Sequence, residues 1–356
     1  MSAAAHFELL MNSAFVQRLH ESIDAAQERI CVQVMTFDGD EAGLGVAERL
    51  IAAVERGVDV QLTVDSFAFR YVSDKRSTDP EIAEEVAATH AMFDRMEAAG
   101  VDVVYVNPFG KLLTWIFFRN HKKIYVVDDD AYIGGINISD HNFAWLDFNI
   151  GLNDPEMVEI VVDDFAKTRR GERQALDGPI ITNEHIESTV AELIANATDS
   201  VVIASPYALD DILAAQLAES PAPRTVVVAP QQNNFMLFRL TDPYLRERCR
   251  SFGIELRSFT EFFHAKFALI DGTTLLLGSS NFGLHSFRLN QEIAVVVTDL
   301  EFIAHFTRLL EQTELVDVRS SKIRYAIGAV TSKILLTGTP LFERFILPHA
   351  PTITTR

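Results

Sequence analysis

The sequence predicts an α/β protein made of two copies of one unit, related by a pseudo-twofold. Each copy is expected to be a mixed, mostly parallel sheet flanked by helices. Three observations predict this. Apolar residues alternate between helical and strand periods along most of the chain. The order helix, strand, helix, strand, helix, strand, hairpin occurs twice. Each round ends in a similar polar signature, within 120–147 and again within 262–292.

In the first round, residues 15–28 have helical spacing, with Phe15, Leu19, Ile23 and Ala26 on one face. Residues 29–37 read as a strand, 44–56 as a helix closed by Gly57, and 58–64 as a strand reaching Asp65. This βαβ rhythm favours parallel pairing. Polar residues 74–85 read as a loop entering a helix, 90–99 as a helix stopped by Gly100, and 101–106 as a strand. Residues 107–118, NPFGKLLTWIFF, form either a buried loop or short helix, or an exposed apolar lip beside the first signature. Trp115, Phe117 and Phe118 suit a boundary between water and lipid. A hairpin of 122–127 and 131–133 comes next, then strand 148–152 and helix 157–170. The charged stretch 169–178 ends in Asp-Gly-Pro, which places a first domain at 1–175 and a second at 176–318.

The second round runs in the same order. Residues 183–197 read as a helix with Thr182 or Asn183 as N-cap, 200–205 as a strand, 209–218 as a helix and 225–229 as a strand. A helix within 237–251 is expected to break or start at Pro243. Strand 253–259 leads to a hairpin of 267–270 and 273–277, with Asp271-Gly272 as its turn. Residues 319–356 differ from the rest. They carry Arg319, Lys322, Arg324, Lys333, Arg344 and Arg356 against Glu343 alone, a charge of +5, which leaves −24 on the remainder. This basic, apolar tail is either a helix packed on the core or an amphipathic segment for an anionic membrane surface.

The two signatures share a spacing. His121, Lys123 and Asp128 form H-x-K-x-x-x-x-D, and so do His264, Lys266 and Asp271. Gly134, Gly135 and Asn137 follow the first; Gly278, Ser279 and Asn281 follow the second. Asp147 and Glu292 close the two stretches. Residues i and i+2 of an extended chain share a face, so each His and Lys point the same way. The hairpin then returns its glycine and asparagine towards the histidine.

This pair of stretches resembles the double HKD signature of the phospholipase D superfamily. R-N-H-K-K-I-Y-V-V-D with G-G-I-N and W-x-D is most similar to the cardiolipin synthase branch. The first copy departs in having Gly135 where many members have Ser, and the second in having His285 before Ser286 where many have Arg. The resemblance implies two phospholipase D-like domains whose motifs meet to form one site. It implies a phosphohistidine intermediate, with His121 as nucleophile and His264 as acid, roles that the near-symmetry of the motifs leaves exchangeable. Lys123 and Lys266 would hold the phosphoryl oxygens, with Asn137 and Asn281 donating to the same group. It also implies that Asp147 and Glu292 fix the histidine tautomers, with Ser279 in support. Asp128 and Asp271 belong to the motif and are expected to be more structural than chemical. No cofactor or metal is required, because lysines carry the charge.

Composition narrows the substrate. Acidic residues outnumber basic ones by 50 to 31 in 356 residues, a net charge of −19. That argues against a nucleic-acid partner while leaving room for a narrow phosphate pocket. Cys31 and Cys249 are expected as buried free thiols of a reducing compartment. No signal peptide and no run of about 20 apolar residues is expected, so the sequence is read as cytoplasmic with peripheral membrane contact. The reaction expected from the resemblance moves a phosphatidyl group between two phosphatidylglycerol molecules. Water as acceptor would make a phospholipase D, a nucleic-acid strand would indicate a nuclease, and loss of chemistry would leave a lipid-binding protein.

Overall fold

A computed structural model describes residues 7–69, 82–110, 117–207, 211–230 and 236–317, with short pieces between 328 and 354. The expected loop before residue 82, Trp115 of the expected lip, and most of the basic tail lie outside the described residues. Contacts divide the chain into two units, residues 1–174 with 350–356, and residues 175–349.

The first unit begins with β1 (Phe7–Met11), α1 (Asn12–Ala25), β2 (Arg29–Val34), α2 (Glu41–Glu55) and β3 (Asp59–Asp65). It continues through α3 (Ile82–Ala99), β4 (Asp102–Val106), β5 (Ile124–Val127), β6 (Asp130–Gly134), α4 (Asp140–Ala144), β7 (Phe148–Leu152) and α5 (Pro155–Arg169). Asp40 caps α2 by accepting from the Gly43 N–H, and Asp154 caps α5 by accepting from Met157. Phe15, Leu19 and Ile23 of α1 are buried, as their spacing predicted. They pack with Leu50, Phe93 and the inward residues of β2 and β3, Ile30, Val32, Val34, Leu62 and Val64. Burying each such side chain contributes about 1.5–3 kcal/mol. The alternate strand residues face α5, which packs across β5, β2 and β6.

The second unit contains β8 (Ile180–Thr182), α6 (Glu184–Asn196), β9 (Ser200–Ala204), α7 (Asp211–Glu219), β10 (Arg224–Val228), α8 (Met236–Ser251) and β11 (Glu255–Phe259). Then come β12 (Phe267–Ile270), β13 (Thr274–Gly278), α9 (Leu284–Arg288), β14 (Ile293–Val297), α10 (Leu300–Gln312) and β15 (Leu315–Asp317). The last strand, β16 (Ile353–Thr354), returns to pair antiparallel with β4. The first sheet runs β1-β7-β6-β5-β2-β3-β4-β16, and the second, read from its far edge, runs β8-β14-β13-β12-β9-β10-β11-β15. Position for position, one order repeats the other, so the duplication extends to topology.

The sheets are mixed, but their balance differs from the mostly parallel expectation. Among the described strands, parallel pairing is confined to β2-β3-β4 and β9-β10-β11, and the other neighbours are antiparallel. The motif hairpins cause this, because a tight turn can join only antiparallel strands. Helix α8 runs through Pro243 rather than breaking there. The missing proline N–H removes one helical bond, while Tyr244, Leu245 and Cys249 bury the following turns. Strand β2 ends at Val34 instead of reaching Phe37, which makes only an isolated bridge to Ile138. Edge strands β1, β8 and β15, together with β14, had no distinct signal as separate elements. Within the expected lip, Phe118 is buried and Phe117 is 42% exposed.

Candidate active site

Each signature is built on the hairpin of its own unit. In the first, residues 119–123 run extended into β5. His121 and Lys123 alternate away from Lys122, and all three are buried. Lys123 Nζ donates to the His121 carbonyl at 2.6 Å. Lys122 reaches α5 instead, where both oxygens of Asp164 accept from its ammonium at 2.7 Å. Arg119 pairs with Asp65 at 2.8 Å, and the Asn120 N–H donates to the other oxygen of Asp65 at 2.5 Å. Burial pushes the Asp65 carboxyl up to about 6 despite Arg119 and the Asn120 and Phe67 amides.

In the second unit, Lys266 Nζ lies 2.7 Å from His264 Nδ1 and also donates to the His264 carbonyl. Both residues are buried, and the Tyr207 ring stands edge-on to the imidazole with centroids 6.2 Å apart. Burial raises the Tyr207 hydroxyl far above its ordinary value, so it stays protonated. Phe267, on the alternate face, meets Phe306 of α10 edge-to-face at 4.9 Å. The two motifs therefore show the alternation that their spacing predicted.

The glycine steps have a steric cause. A Cβ on Gly134 would lie 2.2 Å from the Phe148 carbonyl oxygen, and one on Gly278 would lie 2.3 Å from that of Ile293. The next position differs between copies. A Cβ on Gly135 would come 2.4 Å from both Asp147 carboxylate oxygens. In the second copy Ser279 Oγ donates to Glu292 Oε2 at 2.5 Å, and Asn290 Nδ2 approaches Oε1 at 3.4 Å. Asn183 binds the main chain of Glu292, accepting from its N–H at 3.1 Å. Asn137 Oδ1 accepts from the Met35 and Thr36 amides at 3.3 Å, which fixes the orientation of its amide. Asn281 Oδ1 is buried without a hydrogen bond among the described residues.

Asp128 and Asp271, the motif residues expected to be more structural than chemical, stand apart from the histidines. They form the hairpin tips with φ of 50° and 53°, at the end of β5 and β12 opposite the histidines. Seven residue steps separate them from His121 and His264, roughly 20 Å of chain if extended. Asp128 accepts from the amides of Gln27, Glu28 and Arg29, and Asp271 from those of Thr198, Asp199 and Ser200. Slight burial opposes the Asp271 charge, but these amides hold its carboxyl down at about 2. Each aspartate clamps the start of the central strand, β2 or β9.

Sequence reasoning missed Asp65, Gln33, Asp164 and Asn183, because their partners are distant in the chain. An acid ending a strand was the only signal, at Asp65. Asp38, Asp40 and His141 also bring three possible metal-ligating atoms within 4.8 Å. Both Asp40 oxygens accept backbone N–H groups, from Gly43 and Asp140, and Asn142 Nδ2 donates to His141 Nε2. These bonds make the group a clasp between two loops.

The repeated topology, with a His-Lys pair entering the hairpin of each copy, defines a duplicated phospholipase D-like fold. The cardiolipin synthase, PLD-like domain family matches residues 19–169 and 190–313, and the chain belongs to that family. A probable cardiolipin synthase of Bacillus subtilis strain 168 is 24% identical over 335 residues, 83% of this chain and 64% of the relative. Cardiolipin synthase A of Pseudomonas aeruginosa is 25% identical, over 85% of this chain and 66% of the relative. The chain thus spans a little under two thirds of the length of these relatives. Among solved structures, the phosphatidylserine synthase of Haemophilus influenzae Rd KW20 aligns with a TM-score of 0.70 at 15% identity, covering 96% of this chain and 95% of that one. Polyphosphate kinase of Porphyromonas gingivalis aligns at 0.61 and 12% identity, covering 94% and 53%. These two likenesses concern the fold. Among the described residues no helix is long and apolar enough to cross a membrane.

Proposed function

We propose that the protein is a phosphatidyltransferase of the cardiolipin synthase type, acting on phosphatidylglycerol through His121 and His264. The observation that carries this reading is the duplicated His-Lys pair, each buried at the entry to its hairpin with the lysine ammonium bonded to its own histidine residue. A phosphodiester needs a nucleophile, a proton for the leaving alkoxide and cations for the phosphoryl oxygens. The two pairs supply these groups.

In the proposed cycle His121 attacks phosphorus, a P–N bond forms, and the bond to the glycerol head group breaks. His264 gives that glycerol its proton. The hydroxyl of a second phosphatidylglycerol then returns a proton to His264 as its oxygen attacks phosphorus. The P–N bond breaks, leaving cardiolipin and free glycerol. His264 enters the first step as an imidazolium and leaves it neutral, and the second hydroxyl recharges it. Asp147 and Glu292, with Ser279, Asn137 and Asn281, are proposed to support the histidines and the phosphoryl group.

A peripheral anionic membrane is the proposed partner surface. Val330, Ile334 and Leu341 are about 60% exposed and stand among Lys333 and Arg344. Incubation with phosphatidylglycerol vesicles, followed by mass spectrometry, tests the reaction. Cardiolipin with glycerol, absent in His264→Ala, supports transfer. Phosphatidic acid alone replaces transfer with hydrolysis, and no product from vesicles that the protein binds leaves a binding function.

A further inference from the structure

We infer that Asp65, Arg119, Asn120 and Gln33 form a buried polar platform that positions His121, where the second unit supports His264 on apolar packing. The inference rests on the reading of His121 and His264 as the reacting pair. Sheet register gives the correspondence between copies. His121 lies three residues before Ile124, which pairs with Gln33; His264 lies three before Phe267, which pairs with Ala204. By the same counting Asn120 matches Phe263 and Arg119 matches Phe262. Thr63 and Asp65 match Val228 and Pro230.

Beneath His121 the groups are linked. Gln33 Nε2 donates to Asn120 Oδ1 at 3.0 Å, and the same oxygen accepts from the Lys122 N–H at 3.3 Å. Asp65 holds Arg119 through one oxygen and the Asn120 amide through the other. The Arg119 guanidinium lies over the Phe109 ring, 4.5 Å from its centroid. Gln33, Asp65 and Asn120 are fully buried and Arg119 nearly so. Beneath His264, Phe263 is fully buried and packs edge-to-face on Phe259 at 4.8 Å, and Ala204 is also buried.

The physical difference is directional. Apolar packing accepts small slides, because dispersion has no preferred angle. Hydrogen bonds to a buried carboxylate fix both distance and angle. The platform therefore holds the main chain of Asn120, and the next residue is His121. A nucleophile that must reach phosphorus in line gains from such fixing, since a misplacement of about 1 Å can cost about 10²-fold in rate. These four side chains are positioning residues and do not touch substrate.

The test removes the buried carboxylate anchor and its cation together, as Asp65→Leu with Arg119→Met. Thermal unfolding checks the fold, and phosphatidylglycerol vesicles give kcat and KM. Bis(p-nitrophenyl) phosphate serves as a soluble ester, and 15N NMR reports the His121 imidazole. The expected result is a folded variant with kcat lowered about 100-fold, KM changed by less than about twofold, and a displaced or broadened His121 signal. Unchanged kcat and an unchanged signal would overturn the platform. A wild type that turns over the nitrophenyl ester but not the lipid sinks the lipid reading, and the platform is then judged on the ester. If neither ester reacts, the NMR signal decides. Should the double variant unfold, Asp65→Asn keeps the shape of the anchor while removing its charge, and is read in the same way.

Discussion

The Asp147 carboxylate occupies the space that a side chain at Gly135 would need, with both of its oxygens 2.4 Å from the position of a Cβ there. The second copy solves the same problem with Ser279 and the longer Glu292, whose carboxylate accepts from the serine hydroxyl. Residue sizes at the two positions are thus coupled. Gly135→Ser alone is expected to destabilise the first unit by about 1–3 kcal/mol, the usual cost of overpacking. Gly135→Ser with Asp147→Glu, which reproduces the second copy, should recover part of that loss in thermal unfolding. Additive losses would show that the positions are independent.

Removing either histidine should abolish turnover without unfolding the protein. His121→Ala and His264→Ala are each expected to lower phosphatidylglycerol conversion at least about 10³-fold. Circular dichroism should remain that of the wild type. Near-normal turnover in either variant would refute the proposed pair.

Acid should weaken the Asp271 clamp in a defined window. Its folded carboxyl sits at about 2, below the ordinary value of 3.8, so its contribution is complete above the ordinary value and is lost as pH falls towards 2. Asp271→Asn suits the left-handed tip at φ 53° but lacks the charge. It should be slightly less stable than wild type near neutrality, with the difference shrinking between about pH 4 and 2. Turnover per folded molecule should be unaffected, which separates a clamp from a catalyst.

The Lys122–Asp164 pair is buried, with side chains 1% and 0% exposed. Lys122→Met leaves a buried carboxylate unpaired and is expected to cost about 3–5 kcal/mol. Lys122→Met with Asp164→Leu removes both charges and should recover most of that stability. Denaturant unfolding of both variants measures the difference.

Cys31 and Cys249 are free and buried, and burial pushes their thiols up to about 11 and about 12. A thiol reacts as its thiolate, so neither should be alkylated by iodoacetamide at neutral pH in the native protein. Both should react once the chain is unfolded, and mass spectrometry counts the adducts.

Much of this protein was legible from local pattern. The spacing of Phe15, Leu19 and Ile23 marked α1, and Gly57 and Gly100 ended α2 and α3 with φ of 91° and 102°. The His-Lys alternation and the returning hairpins also followed from the sequence, because a strand's period and a turn's chemistry are set by a few adjacent residues. Tertiary structure alone decided what depended on distant partners. The sheet balance turned antiparallel when β7 and β14 joined the motif hairpins. Asp128 and Asp271 proved to be strand clamps because their amide partners lie far away in sequence. The Gly135–Asp147 fit and the polar bed of Asp65, Arg119, Asn120 and Gln33 arise only where separate strands meet, and a linear pattern carries no record of that meeting.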